Sequence, residues 1–219
     1  MRLVALDVKG TGGHERDGEA ILEIALVPID GWRPDPSAAF STLLNPGRPV
    51  PRRSWIAPGL TDVALRSAPR LGDVQPALDR RVNGSYLVGY DITAQWPLLR
   101  RNCPQLAPAG LIDTLQLARM IDPGHRNNLP AVIDQLRQTR RVGELSVSLP
   151  GRALWDATGA AVLLGALAVP ALGPDVSLPE LLAVAGVDPD RRERRLMRTP
   201  IPVPINRGDA RVTAAARWF

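Results

Sequence analysis

The chain reads as a mixed α/β domain, a sheet with an antiparallel start and helices on its faces. Three observations predict this. Short aliphatic runs at 2–8 and 20–29 are bounded by Gly, Pro and Asp, as buried strands are. A third run near 38–44 closes in the turn Asn45-Pro46-Gly47, so three strands follow one another with no helix between them. Beyond residue 72 helical and strand-like stretches alternate, the order expected where helices cover a sheet.

Taken in order, residues 12–18 form a polar hairpin turn between the first two strands. A helix is predicted over 72–82, then a buried strand, Tyr86-Leu87-Val88-Gly89-Tyr90, then a helix over 92–101. Leu111-Ile112-Asp113-Thr114 opens another strand-to-helix unit ending near Ile121, and helices follow at 128–138 and 152–167. Ser177-Leu178-Pro179-Glu180 is a capping box; Leu178, Leu181, Leu182 and Ala185 make the apolar stripe behind it, and Gly186 stops the helix. The chain divides into a main domain over 1–168, a docking helix extension over 169–187, and an Arg/Pro-rich tail over 188–219. That tail holds the cluster Arg191–Arg195 and ends in Trp218-Phe219. Its arginines and aromatic anchors suit a partner better than a core.

Composition narrows the function classes. A net charge of +5 and a pI of about 10.5 permit contact with nucleic acid. The single cysteine, Cys103, excludes an internal disulfide and fits a reducing compartment. No run reaches the ~18 apolar residues of a membrane span, and Met1-Arg2 leads straight into a strand without a signal peptide. A cytoplasmic protein is expected.

The motifs then resemble, in order and at matching spacings, the DEDDh type of the 3′→5′ proofreading-exonuclease superfamily, the family of the polymerase ε subunit. The resemblance covers roughly residues 2–168. Asp7-x-Lys9-x-Thr11-Gly12 is similar to the first motif, Asp-x-Glu-x-Thr-Gly, with Lys9 in the place of the glutamate. Ile56-Ala57-Pro58-Gly59-Leu60-Thr61 resembles Ile-x-His-Gly-Ile-Thr. The stretch from Val88 through Leu99 puts the third acid on Gln95, and Asp113-Thr114-Leu115-x-Leu117-Ala118-Arg119 matches closely. Gly151-Arg152-Ala153-Leu154-Trp155-Asp156-Ala157 keeps the final acid, Asp156, but has Gly151 where the catalytic histidine belongs.

The resemblance implies a ribonuclease-H-like fold, a mixed five-stranded sheet flanked by helices, and a site at Asp7, Lys9 and Asp156, with degenerate positions at Gln95 and Gly151. In active members four carboxylates bind two divalent ions that activate water. Here two carboxylates and one ammonium give a net −1 in place of −4. Loss of the histidine alone forfeits about 10²–10⁴ in rate. No cofactor is expected, and any Mg²⁺ or Mn²⁺ would rest on Asp7 and Asp156. The leading expectation is a degenerate relative that binds nucleic acid or a protein partner through the inherited groove and the tail. Thr11, Gly12, Trp96, Trp155 and Arg152 are its candidate nucleic-acid contacts. An active exonuclease with rearranged ligands and a repurposed small-molecule enzyme in the same cleft are the alternatives. All 27 basic residues but Lys9 are arginine. Three readings of that lysine stand open: drift, a built-in cation in place of a metal, or an amine used as base or nucleophile. Asp91, Glu15, Asp17 and Glu19 are weighed as substitute acids, and His14 and His125 read as surface residues.

Overall fold

Alternation along the first strand sorts the core into two layers. In β1 (Leu3–Gly10), Val4, Leu6 and Val8 pack to one side, while Leu3 and Ala5 pack to the other. Asp7 and Lys9 continue that second face. The computed structural model describes residues 2–12, 18–122 and 128–189. Residues 13–17 with His14, Glu15 and Asp17, residues 123–127 with His125, and residues 190–219 with the arginine cluster and Trp218-Phe219 lie outside the described residues.

β1 pairs antiparallel with β2 (Ile21–Asp30), setting Asp7 opposite Ala25 and Lys9 opposite Glu23. β3 (Arg33–Pro34) and β4 (Phe40–Leu43) both pair with β2. Then come α1 (Asp62–Leu65), α2 (Leu71–Val82), β5 (Tyr86–Gly89), α3 (Ile92–Asn102), β6 (Gly110–Asp113) and α4 (Thr114–Ile121). α5 (Leu129–Gln135), α6 (Thr139–Leu145), α7 (Ala153–Leu172), α8 (Leu178–Ala185) and β7 (Gly186–Val187) complete the order. β5 lies parallel to both β1 and β6, so the sheet is mixed, in the order β3-β2-β1-β5-β6-β7 with β4 also on β2. It has seven strands where five were expected. The additional pair, β3 and β7, are two residues each, too short to leave an alternating pattern in the sequence.

Other boundaries differ for local reasons. The third long strand starts at Phe40 because Pro36–Ala38 is a 3₁₀ turn capped by Asp35. The helix expected over 128–138 is two helices, broken where Arg137 takes a positive φ of 57°. α7 continues past 167 to Leu172 and ends at Gly173, with φ 97°. It also corrects the expectation that no segment matches a membrane span. Its 20 residues are long and apolar enough, but 67% of the most apolar window is buried inside the fold. α7 crosses β1 and β2 and is ringed by α4, α5, α6 and α8, which explains why it is apolar all round.

Small residues bring α7 close to the sheet: Ala5 and Ala25 share a core layer with Ala157, Ala160 and Ala161. The other layer joins the opposite sheet face to α2 and α3 through Leu78, Val82, Ile92 and Leu99. The capping box at Ser177 forms as expected, with the Ser177 N–H donating to Glu180 at 2.8 Å. A Cβ on Gly186 would meet the Leu182 carbonyl oxygen at 2.2 Å, so only glycine allows the chain to leave α8 there. It then pairs β7 with β6. All described residues belong to one compact unit, Met1–Pro189, and that unit includes α8 and β7.

Gly165 is the tightest point on α7, where a Cβ would lie 2.5 Å from the Trp32 carbonyl oxygen. Backbone cannot yield as a side chain can. Gly165→Ala is expected to destabilise the domain by about 1–3 kcal/mol despite its better helix propensity, read by urea denaturation.

Candidate functional site

Two helix starts converge on the end of β1. Asp91 precedes α3 in a left-handed conformation, φ 58°, which Asp tolerates better than most residues. Its N–H donates to the buried Asp113 carboxylate at 2.9 Å, and its own carboxylate accepts from Thr93 Oγ at 2.7 Å. Asp91 thus shapes the turn and forms no part of the acid cluster. One turn into α3, Gln95 donates Nε2–H to Asp7 Oδ1 at 2.7 Å and to the Tyr90 carbonyl at 3.2 Å.

The start of α7 is held by Glu23, a buried carboxylate inside the aliphatic run of β2. Its two oxygens take the Arg152 guanidinium in a bidentate pair, both bonds at 2.8 Å, and one also accepts the Ala153 N–H at 3.1 Å. α7 has no side-chain cap of its own, so Glu23 serves as the cap from across the sheet. Hydrogen bonding to Glu23 raises the Arg152 pKa against burial. Arg152, expected to meet nucleic acid, is a positioning residue with its guanidinium committed.

Held there, Asp156 reaches Lys9. The Lys9 ammonium contacts Asp156 Oδ2 directly and lies 2.9 Å from Asp7 Oδ2, the latter an ionic contact without hydrogen-bond alignment. The Gly151 N–H donates to Asp156 Oδ1 at 3.1 Å. Lys9, Gln95 and Gly151, the three positions that depart from the motif, therefore each turn a donor toward a retained acid. Among the buried side-chain nitrogen and oxygen atoms of the described residues, only Gln95 Oε1 has neither a hydrogen bond nor an ionic partner.

The electrostatics follow from this closure. Burial pushes the Asp7 carboxyl up to about 7; Lys9 opposes the rise, and Asp156 and Glu23 add to it. Burial also works against the Lys9 ammonium, but Asp7 and then Asp156 outweigh it and hold Lys9 above its ordinary value. Such an amine stays protonated at neutral pH and is a poor base or nucleophile. Among the described residues no three His, Cys, Asp or Glu side chains converge as ligands. A two-metal centre needs several anionic oxygens around each ion, and this donor set, with an ammonium inside it, does not fit one. Gly151 has φ 83°, so a histidine there would be strained even though the space is open.

The other expected contacts sort differently. Trp96 and Trp155 are buried, and Trp96 donates its indole N–H to the Pro189 carbonyl at 3.3 Å; neither offers a face to a base. Thr11 is buried and ties the hairpin through Ala20. Gly12, φ 94°, donates to Glu19, whose other oxygen pairs with Arg101 at 3.2 Å, so Glu19 buttresses the turn. Sequence reasoning missed Glu23 and Trp55. A lone acid in an aliphatic strand could have flagged the first. Trp55 is 57% exposed and donates its indole N–H to the Thr11 carbonyl at 3.2 Å, which no local pattern announces.

A mixed sheet with acids from β1 and α7 meeting at the end of β1 is a ribonuclease-H-like fold. No family model matches the chain. It is 32% identical over 101 residues to a DNA polymerase III subunit epsilon-like protein of Rhodobacter capsulatus, covering 46% of this chain and 14% of that one. It is 30% identical over 147 residues to the DNA polymerase III subunit epsilon of Pasteurella multocida, covering 62% and 57%. Thus the chain spans little more than half the length of one relative and a seventh of the other. The solved structure of Exonuclease X in complex with 5′ overhanging duplex DNA superposes with a TM-score of 0.58 at 23% identity, over 83% of this chain and 98% of that one. In sequence the chain is thus similar to DNA polymerase III epsilon subunits, and it shares the fold of Exonuclease X.

Two outcomes test the electrostatics. Lys9→Ala leaves Asp7 and Asp156 facing each other, and a loss of about 2–3 kcal/mol is expected, below the full cost of a broken buried pair because Lys9 is 21% exposed at its side chain. Added Mg²⁺ should raise the Tm of this variant more than that of wild type; equal responses would mean that Lys9 holds no such position.

For Asp7 the folded pKa of about 7 exceeds its unfolded value of 3.8, so the folded state binds the extra proton between them. Its contribution is therefore full below about pH 4 and is lost as pH rises through 7. Subtracting the stability curve of Asp7→Asn from that of wild type should leave a decline of a few kcal/mol across this window. A flat difference would refute the shift.

Proposed function

We propose that this domain is a catalytically degenerate member of the 3′–5′ exonuclease superfamily that binds nucleic acid without cleaving it. The observation that carries the reading is the Lys9 ammonium between Asp7 and Asp156, in a network that Gln95 and Gly151 complete. An acceptor cluster suited to cations has become a set of matched donors and acceptors that holds its shape unaided. Drift at three positions would leave acids unpaired; here each of the two acids has a donor or ammonium at both oxygens. Lys9 acts as the built-in cation, and the raised pKa weighs against its use as a reactive amine.

A nucleic-acid ligand is supported by the net charge of +5 and by a structural relative solved with a DNA duplex. The C-terminal arginine cluster Arg191–Arg195 is a second contact by composition. Purified protein should bind single-stranded DNA or RNA equally in EDTA and in Mg²⁺ or Mn²⁺, and labelled strands should stay full length. Trimming from the 3′ end that disappears in Asp7→Ala would overturn the reading and establish a working nuclease.

A further inference from the structure

The loop between β4 and α1 holds three side chains that the Lys9 centre does not use. Trp55 is the most exposed aromatic among the large exposed hydrophobics, yet it is not loose. Its indole N–H is pinned to the Thr11 carbonyl at 3.2 Å, and its edge lies over Gly12, where a Cβ would fall 2.6 Å from Nε1. The Arg53 guanidinium stacks on the ring, 5.6 Å from its centroid. Neither Arg52 nor Arg53 has an ion-pair partner among the described residues. Both also line a cleft of about 370 Å³ with Ile56, Gly59, Leu60 and Val63. Asp62, the one carboxylate on that cleft, accepts the Val50 N–H at 2.7 Å.

We propose that this loop is a binding site for single-stranded nucleic acid, an unpaired base stacking on Trp55 while the adjoining phosphates lie on Arg52 and Arg53. The inference rests on the nucleic-acid reading above and adds where the strand lies and that it is unpaired. Charge argues for the place. The centre of Asp7, Lys9 and Asp156 carries a formal −1 and repels phosphate, whereas the neighbouring loop carries two guanidiniums with no ion-pair partner among the described residues, and its one cleft carboxylate, Asp62, is bonded to the Val50 N–H. The indole argues for the unpaired state, because the side of a duplex presents base edges and phosphates but no base face. A pinned aromatic loses little freedom on binding, and Trp96 and Trp155 are buried and cannot substitute.

The test is fluorescence anisotropy of the full chain with labelled oligo-dT, oligo-rU and a blunt duplex of equal length. Trp55→Ala is expected to weaken single-strand binding by about 5- to 100-fold, while Trp55→Phe, which keeps a ring, stays within a few fold. Arg52→Ala with Arg53→Ala should reduce the slope of log affinity against log salt by about 1–2. Circular dichroism and Tm check that each variant folds. The dT and rU arms separate DNA from RNA, and the duplex should bind more weakly than either. Wild-type affinity in a folded Trp55→Ala variant, or a preference for the duplex, would overturn this site while leaving the nucleic-acid reading intact. Absence of binding to every strand would overturn both.

Discussion

The arrangement of the site depends on one buried carboxylate. Glu23 neutralises Arg152 and caps the first N–H of α7 in a single contact, so the helix can begin only where β2 places that side chain. Because Asp156 follows one turn later, its distance from β1 is inherited from Glu23. Leaving either charge alone in that layer would cost about 2–4 kcal/mol, and the larger consequence would be positional. The alanines of β1, β2 and α7 let the helix approach closely, but they are non-directional. The ion pair supplies the register that they lack.

Against that fixed frame, the three departures from the family pattern work as a set. A cluster of carboxylates is stable only around cations, because each acid raises the pKa of the next. An ammonium tethered to the backbone removes that dependence. Lys9 reaches both acids, and its reach is set by its own strand. Gln95 follows the same logic on the other side of Asp7: an amide N–H meets the carboxylate where an acid would have faced it. Gly151 contributes through its backbone, in a conformation that a side chain would strain.

The aromatic residues illustrate how sequence proximity misleads. Trp96 and Trp155 adjoin site positions in the chain, but each lies on a helix surface that turns into the core, as 3.6 residues per turn dictates for a neighbour of an inward-facing group. Trp55 is distant in sequence from Thr11 and Gly12, yet lies over them because the loop after β4 returns across the hairpin. The expected bonding capacity of Thr11 is likewise spent within the turn.

Local signals determined the elements that depend on local physics. Aliphatic alternation gave β1, β2, β5 and β6, the capping box placed α8, and motif order identified the fold and the retained acids Asp7 and Asp156. Charge counting gave the expectation of a net −1 where the resemblance implies −4. Tertiary structure decided everything that requires two distant segments to meet. The pairing of Arg152 with Glu23 spans 129 residues and that of Lys9 with Asp156 spans 147, so neither leaves a periodic trace. The two-residue strands exist only because long neighbours offer them hydrogen bonds, and the break at Arg137 depends on one backbone angle. Lys9 was conspicuous in the sequence as a residue type, but whether its ammonium stood between two acids or in solvent is a distance. A distance across the fold is set by how α7 packs on the sheet.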